Sequence, residues 1–346
     1  MEVLDPVRYE EWDEMLPCDR EAGIFYTAAW ARVLRESYGF RPCYLAEISG
    51  RTLTLLVPLM EIGGKLTRKR AVCLPFSDYC PPILPQEQGW DELFPEISRY
   101  AYVRRWRTVQ FRDWPTRGER NGMPPTSCVY LGHRLDLARS EADLWSSLSA
   151  SVRTAIRKAR RSGVWIELST AESAMEDFCY LNELTRRHHG LPPQPRRFFK
   201  KFREYLLDRG LGIVVLGKYG GRTVAASIFL RFGESGLYKY GASDRKWQQL
   251  RANDLVMWEG IRWCQQQGCK KITFGRTSAT NEGLRQFKAG WGTREYLVPY
   301  IKFDFHRGTF VSDRDRAESG WYRHVFRVLP VFLSKIVGEL FYRYAA

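Results

Sequence analysis

Lys288 lies in the run Phe287-Lys288-Ala289-Gly290-Trp291-Gly292, a cation held between aromatic residues at the end of the segment ITFGRTSATNEGLRQFKAGWG. An ammonium group removed from water can steady negative charge developing on a neighbouring oxygen, and an apolar setting strengthens that contact. The competing reading is that Lys288 merely runs its methylene stem along a core helix and carries its charge out to solvent. Residue type at this one position leaves both readings open.

Other constellations carry charge or titratable groups. In SVRTAIRKARR, Leu148, Val152, Ile156 and Ala159 recur at helical spacing, which puts Arg153, Arg157, Arg160 and Arg161 on nearly the opposite face. Guanidinium groups match phosphate oxygens in bidentate geometry, and this stretch has no acidic residue of its own to pair with them. The alternative is a solvated helix face. A second cluster, Arg196, Arg197, Lys200, Lys201 and Arg203, follows the Pro192-Pro193 turn and invites the same two readings. Asp78 and Tyr79 are fixed in the proline-bounded loop LPFSDYCPPILP, a setting better suited to ligand contact than to a core. His188-His189 supplies groups that titrate near neutral pH, but adjacent helical residues point in different directions. Asn253 and Asp254 read as an N-cap region. Cys264 and Cys269 lack a histidine to complete a zinc set, and no HExxH, P-loop, GxSxG or GxGxxG pattern is present. No metal site is expected.

These residues need a scaffold, and 346 residues at 44% hydrophobic content suggest two globular domains. Short strand patterns alternate with helical ones. In the first part they are Cys43 to Ile48, Thr52 to Met60 and Thr108 to Phe111, with helices over Ala28 to Tyr38 and Trp90 to Trp106. Arg112 to Ser127 reads as a surface excursion, and the domain boundary is expected near residue 134. The second part opens with a helix from about Glu141 to Ser162, with Ser140 as N-cap and Gly163 as its stop. Strands follow at Trp165 to Leu168, Gly212 to Lys218, Thr223 to Phe232, Gly236 to Tyr240, Lys271 to Phe274 and Tyr296 to Phe305, with a helix from Asn253 to Gln267. The expected fold class is α/β, a mixed sheet flanked by helices. The expected division is residues 1–133, 134–305, and a linker with an amphipathic helix over 306–346. That last segment suits either docking on the protein body or shallow attachment to an anionic membrane surface.

Eight scattered cysteines without a CxxC pair, an N-terminus lacking a basic and then apolar run, and no stretch of roughly 18 apolar residues all lead to an expected cytoplasmic protein. A net charge of +15 favours nucleic acid, phosphorylated precursors or anionic lipid as partners without choosing among them.

Four segments, LWSSLSASVRTAIRKARRSGVWIE, TRRHHGLPPQPRRFF, VAASIFL through LYKYGAS to LRANDLVMWEGI, and FGRTSATNEGLRQFKAGWG, together resemble the Fem family of aminoacyl transferases and its tandem GNAT-like relatives. The likeness is distributed over Leu144 to Gly292, and it is looser in the first half, through FSDYCPP and YTAAWARVLRESYG. The resemblance implies two GNAT-like domains and transfer of an acyl group to an amine. It implies an aminoacyl-tRNA donor and a phosphorylated or lipid-linked cell-envelope acceptor, in peptidoglycan or another surface polymer. Lys288 falls on the lysine of the family's FK-x-G motif at the transfer site, and Arg276 stands beside it in the FGR corner, so both are expected to be catalytic. Arg153, Arg157, Arg161, Asp78, Tyr79 and Trp291 are the expected substrate contacts. The chain departs from the family in lacking a helical-hairpin arm, with no sustained heptad run. It also departs from typical GNAT enzymes, reading DRKWQQLRAND where the R/Q-x-x-G-x-G/A loop cradles CoA pyrophosphate. Acyl-CoA is therefore the second expected donor, with an exopolysaccharide amino sugar as acceptor. A noncatalytic RNA- or membrane-binding scaffold is the third reading.

Overall fold

A computed structural model describes residues 1–17, 22–63, 67–85, 88–114, 124–312, 337–339 and 342–344. The chain forms two compact units. One holds Met1–Leu131 and takes up the chain again at Leu297; the other spans Gly132–Tyr296. The chain passes from unit to unit within two strands, β8 (Cys128–Asp136) and β14 (Arg294–Asp304).

The first unit contains β1 (Glu2–Leu4), α1 (Ala28–Tyr38), β2 (Arg41–Pro42), β3 (Tyr44–Ser49), β4 (Thr52–Val57), β5 (Leu59–Ile62), β6 (Arg70–Cys73), α2 (Trp90–Arg104) and β7 (Thr108–Arg112). Thr27 starts α1 by accepting from the Trp30 amide at 3.2 Å, and Gly39, at φ 74°, ends it. Strands β1, β3 and β4 form one small sheet; β2, β5, β6, β7 and β14 pair side by side in that order, with Ile301 of β14 opposite Phe111 of β7. Beneath α2, the buried Glu61 carboxylate accepts from Arg104 Nε at 3.0 Å, Arg104 Nη2 at 2.7 Å and Trp106 Nε1 at 2.7 Å. Burial opposes ionisation there, yet these hydrogen bonds and the nearby cations hold Glu61 below the usual carboxylate range.

The second unit contains α3 (Glu141–Ser147), α4 (Ala150–Arg161), β9 (Trp165–Ser169), α5 (Glu172–His188), α6 (Arg196–Phe202), β10 (Gly212–Tyr219), β11 (Arg222–Phe232), β12 (Ser235–Ser243), α7 (Ala252–Gln266), β13 (Lys271–Ser278) and α8 (Glu282–Ala289). Its sheet runs β8-β13-β12-β11-β10-β9, antiparallel from β9 to β12 and parallel between β12 and β13. The apolar faces of α4 and α7 pack on this sheet, joining Val152 and Ile156 to Val256, Ile261, Ile272 and Trp291. Gly260 lets α7 approach closely, because a Cβ there would stand 2.0 Å from the Phe229 ring. Phe178, Phe198, Phe199 and Phe202 gather around Tyr240 to form a second aromatic cluster. The chain is mixed α/β, as its alternating patterns require.

Two local expectations change. The helix expected from Glu141 to Ser162 is two helices, both serine-capped, broken where Leu148 is extended at ψ 146°. The break is compensated, since the Ser149 amide donates to the Gly290 carbonyl at 2.9 Å. Asn253 does not cap α7; the helix starts from Arg251 in the left-handed region at φ 58°, and Asn253 donates to Ser243 Oγ at 3.0 Å. Most of the expected terminal helix, Trp321 to Tyr344, lies outside the described residues, as does much of the excursion Arg112 to Ser127. Of its described part, Tyr342 is buried, accepts from Arg186 and donates to the Pro192 carbonyl at 3.2 Å.

Replacing Glu61 with Ala strands the Arg104 guanidinium and the Trp106 indole N–H. Arg104 keeps part of its side chain in water, which discounts the loss to about 2 kcal/mol. Equilibrium urea unfolding should show that shift, and a midpoint unchanged from wild type would contradict a structural role for the carboxylate.

Candidate active site

The site grows from β13. Ile272 and Phe274 bury into the core of the second unit, and Gly275 then takes φ 66°, a left-handed conformation in mid-strand that favours glycine. Helix α8, opened by Asn281 Oδ1 accepting from the Leu284 amide at 3.1 Å, carries Lys288 back to this corner. Lys288 is 3% exposed. Its Nζ donates to the Gly275 carbonyl at 3.0 Å and to the Arg276 carbonyl at 3.2 Å. The charge is therefore retained inside the protein rather than carried out to solvent, and the corner of β13 is held by the ammonium.

The glycines around Lys288 have packing reasons. A Cβ at Gly290 would stand 3.3 Å from Ser149 Oγ and from Val152, and one at Gly292, at φ 75°, would stand 3.0 Å from Ser147 Oγ. The end of α8 thus presses on the α3–α4 break.

His133, on β8, is the group that the sequence reading missed. It is 1% exposed, and its Nε2 is buried without a hydrogen-bond partner, 4.0 Å from Glu295 Oε2. Burial, then the Lys288 and Arg285 charges, push its pKa down to about 4, although Glu295 acts in the opposite direction. Glu295 is itself held by Arg285, with Nε and Nη2 each donating at 3.1 Å. The imidazole is therefore neutral at pH 7, within the electrostatic influence of the buried Lys288 ammonium. Thr277 Oγ1 and Trp291 Nε1 are also buried without a hydrogen-bond partner. A lone histidine in the strand LGHRLD gave no sequence signal. Its neighbour Gly132 did mark a close approach, since a Cβ there would lie 2.3 Å from the Tyr296 ring.

The remaining expected contacts are placed less uniformly. Arg276 is half-buried at the corner, where its carbonyl serves Lys288. Arg153 turns its Nη1 back to the Ser146 carbonyl at 2.9 Å and to the Leu148 carbonyl, so it caps the end of α3. Arg157 is exposed and stacks its guanidinium 5.5 Å from the Trp145 ring centroid. Arg161 is exposed. Arg160, read as lacking an acidic partner, meets Glu259 of α7 at 2.9 Å, a pairing across 99 residues that local sequence could not reveal. Trp291 is fully buried in the core and meets Phe287 edge-on. Asp78 and Tyr79 belong to the other unit, in a half-buried loop where Leu74 and Phe76 take φ 45° and 61°. Arg112 pins that loop through the Leu74 and Ser77 carbonyls, at 3.2 and 2.7 Å, and Tyr300 donates to the Asp78 carbonyl at 2.7 Å. His188 is exposed at the end of α5 beside Arg245.

With this geometry in place, similarity to known proteins is informative. Residues 146–296 match the family described as an acetyltransferase (GNAT) domain. No curated protein matches the sequence. Among solved structures, FemX is similar at a TM-score of 0.64 and 12% identity, over 80% of this chain and 91% of that one. A tandem GNAT protein from the clavulanic acid biosynthesis pathway is similar at 0.54 and 11% identity, over 88% and 98%. The C-terminal domain of a putative lysylphosphatidylglycerol synthetase from Agrobacterium fabrum is similar at 0.51 and 13% identity, over 79% and 86%. At these identities the solved structures establish the fold, which is the expected Fem-like, tandem GNAT one. Among the described residues no helix is long and apolar enough to cross a membrane.

The buried neutral imidazole makes stability depend on pH. The unfolded chain binds a proton near the ordinary histidine value of 6.5, whereas the folded chain resists it down to about 4. Stability from this group is complete above pH 6.5 and is lost as pH falls toward 4. Urea unfolding at stepped pH should show that decline, and His133→Gln should flatten it; an equal slope in both proteins would remove His133 as its source.

Proposed function

The chain carries a GNAT acyltransferase domain in a Fem-like fold, and from that premise we propose that it forms an amide bond by aminoacyl-tRNA-dependent transfer of an amino acid to an amine of a cell-envelope precursor. The observation that carries this reading is the buried Lys288 ammonium, fixed by two backbone carbonyls within electrostatic range of a neutral imidazole. The acceptor amine attacks the ester carbonyl to form the C–N bond and a tetrahedral oxyanion; its collapse breaks the ester C–O bond, and the amine proton passes to the departing hydroxyl oxygen. Lys288 stabilises the oxyanion of the tetrahedral intermediate, and Arg276 supports the site. Because the ammonium is held before substrate arrives, little reorganisation is needed as charge develops. Alignment of donor and acceptor supplies much of the remaining rate. With Arg153 engaged at the end of α3, phosphate contacts on the α4 stripe fall to Arg157 and Arg161.

A second donor, acyl-CoA, is favoured by the acetyltransferase character of the matched domain. Isothermal titration with CoA and with charged tRNA separates the two, and micromolar CoA binding would reject the tRNA reading. Substituting Lys288→Met should lower kcat by about 100-fold while KM changes little. The lysine also clamps β13, so melting temperature and donor binding are measured on the same variant. Unchanged turnover in a folded Lys288→Met protein would remove the lysine from the mechanism.

A further inference from the structure

On the first unit, the ends of three strand segments are joined side by side. The Arg107 amide donates to the Lys69 carbonyl at 2.8 Å, and the Phe305 amide donates to the Arg107 carbonyl at 2.9 Å. Together with the C-terminal end of α2 they enclose an open groove of about 620 Å³. Arg68, Lys69, Arg105 and Arg107 contribute four permanent cations to its lining, and no carboxylate is among the described lining residues. Within the fold Lys69 is ion-paired with Glu61 at 3.9 Å and Arg107 with Asp304 at 3.7 Å, so the charge offered to a ligand rests chiefly on Arg68 and Arg105. Tyr102 also lines the groove and is 88% exposed.

Arg105 adds an independent observation. It closes α2 at φ 58°, where its amide satisfies the Ala101 and Tyr102 carbonyls. Helices commonly place glycine in this left-handed position, because a side chain there is strained. Here an exposed arginine takes the position and directs its charge to the groove. Helix termination alone favours glycine, so the arginine side chain needs another reason.

We propose that this groove binds single-stranded RNA, with its cations tracking the phosphodiester backbone and Tyr102 offering a stacking face to a base. A concave cluster of cations with an exposed aromatic residue matches a flexible polyanion that also has planar bases. A bilayer presents a flat anionic surface that would meet the rim and leave the floor unserved. The groove goes beyond the transfer chemistry proposed for the second unit and can be tested without it.

Fluorescence anisotropy with a labelled single-stranded RNA of about twelve nucleotides, titrated over a range of salt, provides the test. The Arg68→Ala, Arg105→Gly double variant should bind more weakly, and its log-log salt slope should shrink by about 1.4 for two lost phosphate contacts. Arg105→Gly alone should melt no lower than wild type, which separates lost binding from lost folding. Tyr102→Ala should weaken binding about tenfold without changing the salt slope. Amide-forming turnover is read separately from the RNA isotherm on the wild-type protein and on the groove variants, so failure of the transfer mechanism and failure of the groove are distinguishable. An RNA isotherm and slope unchanged by the double variant would overturn the proposal. So would a double variant that loses binding to phosphatidylglycerol vesicles while holding RNA as tightly as wild type.

Discussion

The hydrogen bonds from Lys288 to the Gly275 and Arg276 carbonyls are the constraint around which the second unit's site is arranged. A buried ammonium is costly unless it is hydrogen-bonded, so the helix carrying it and the strand accepting from it constrain each other. Gly275 supplies the backbone conformation at the accepting corner. Just past Lys288, at the same end of α8, the Gly290 carbonyl receives the Ser149 amide, which holds the start of α4. The sequence FKAGWG is therefore a junction of α8, β13 and α4, with small residues where chains approach and a tryptophan filling the core between them. Burial is the main reason that His133 stays neutral, and the same Lys288 charge adds to it.

Parts of this arrangement are legible along the chain because they depend on neighbours in sequence. The strand, polar turn and helix from Ile272 to Gly292, the serine cap at Ser140, and the apolar face of α4 follow from periodicity and capping chemistry. The parts that were not legible depend on distant partners. Nothing near Leu148 announces a broken helix, because the carbonyl that satisfies the break comes from Gly290. Nothing near Arg160 announces Glu259, and His133 acquires its character only when β8 brings it near Lys288, Arg285 and Glu295. Arg153 shows the converse: its position on the polar face was legible, while its use on the Ser146 and Leu148 carbonyls depends on how α3 ends.

The net charge of +15 has to be divided before it can inform function. On α4 the conspicuous arginine run is partly consumed internally, by backbone carbonyls for Arg153 and by Glu259 for Arg160. The cations at the end of α2 form no such run, since Arg68 and Lys69, Arg105 and Arg107 come from separate turns of chain and are gathered by strand pairing. A field summed over the molecule attracts any polyanion, whereas a cluster of charges in a concavity selects one that can enter it. Clustering along the sequence is thus a poor guide to where positive charge acts. What matters is how much of each guanidinium remains after the fold has satisfied its own carbonyls and carboxylates.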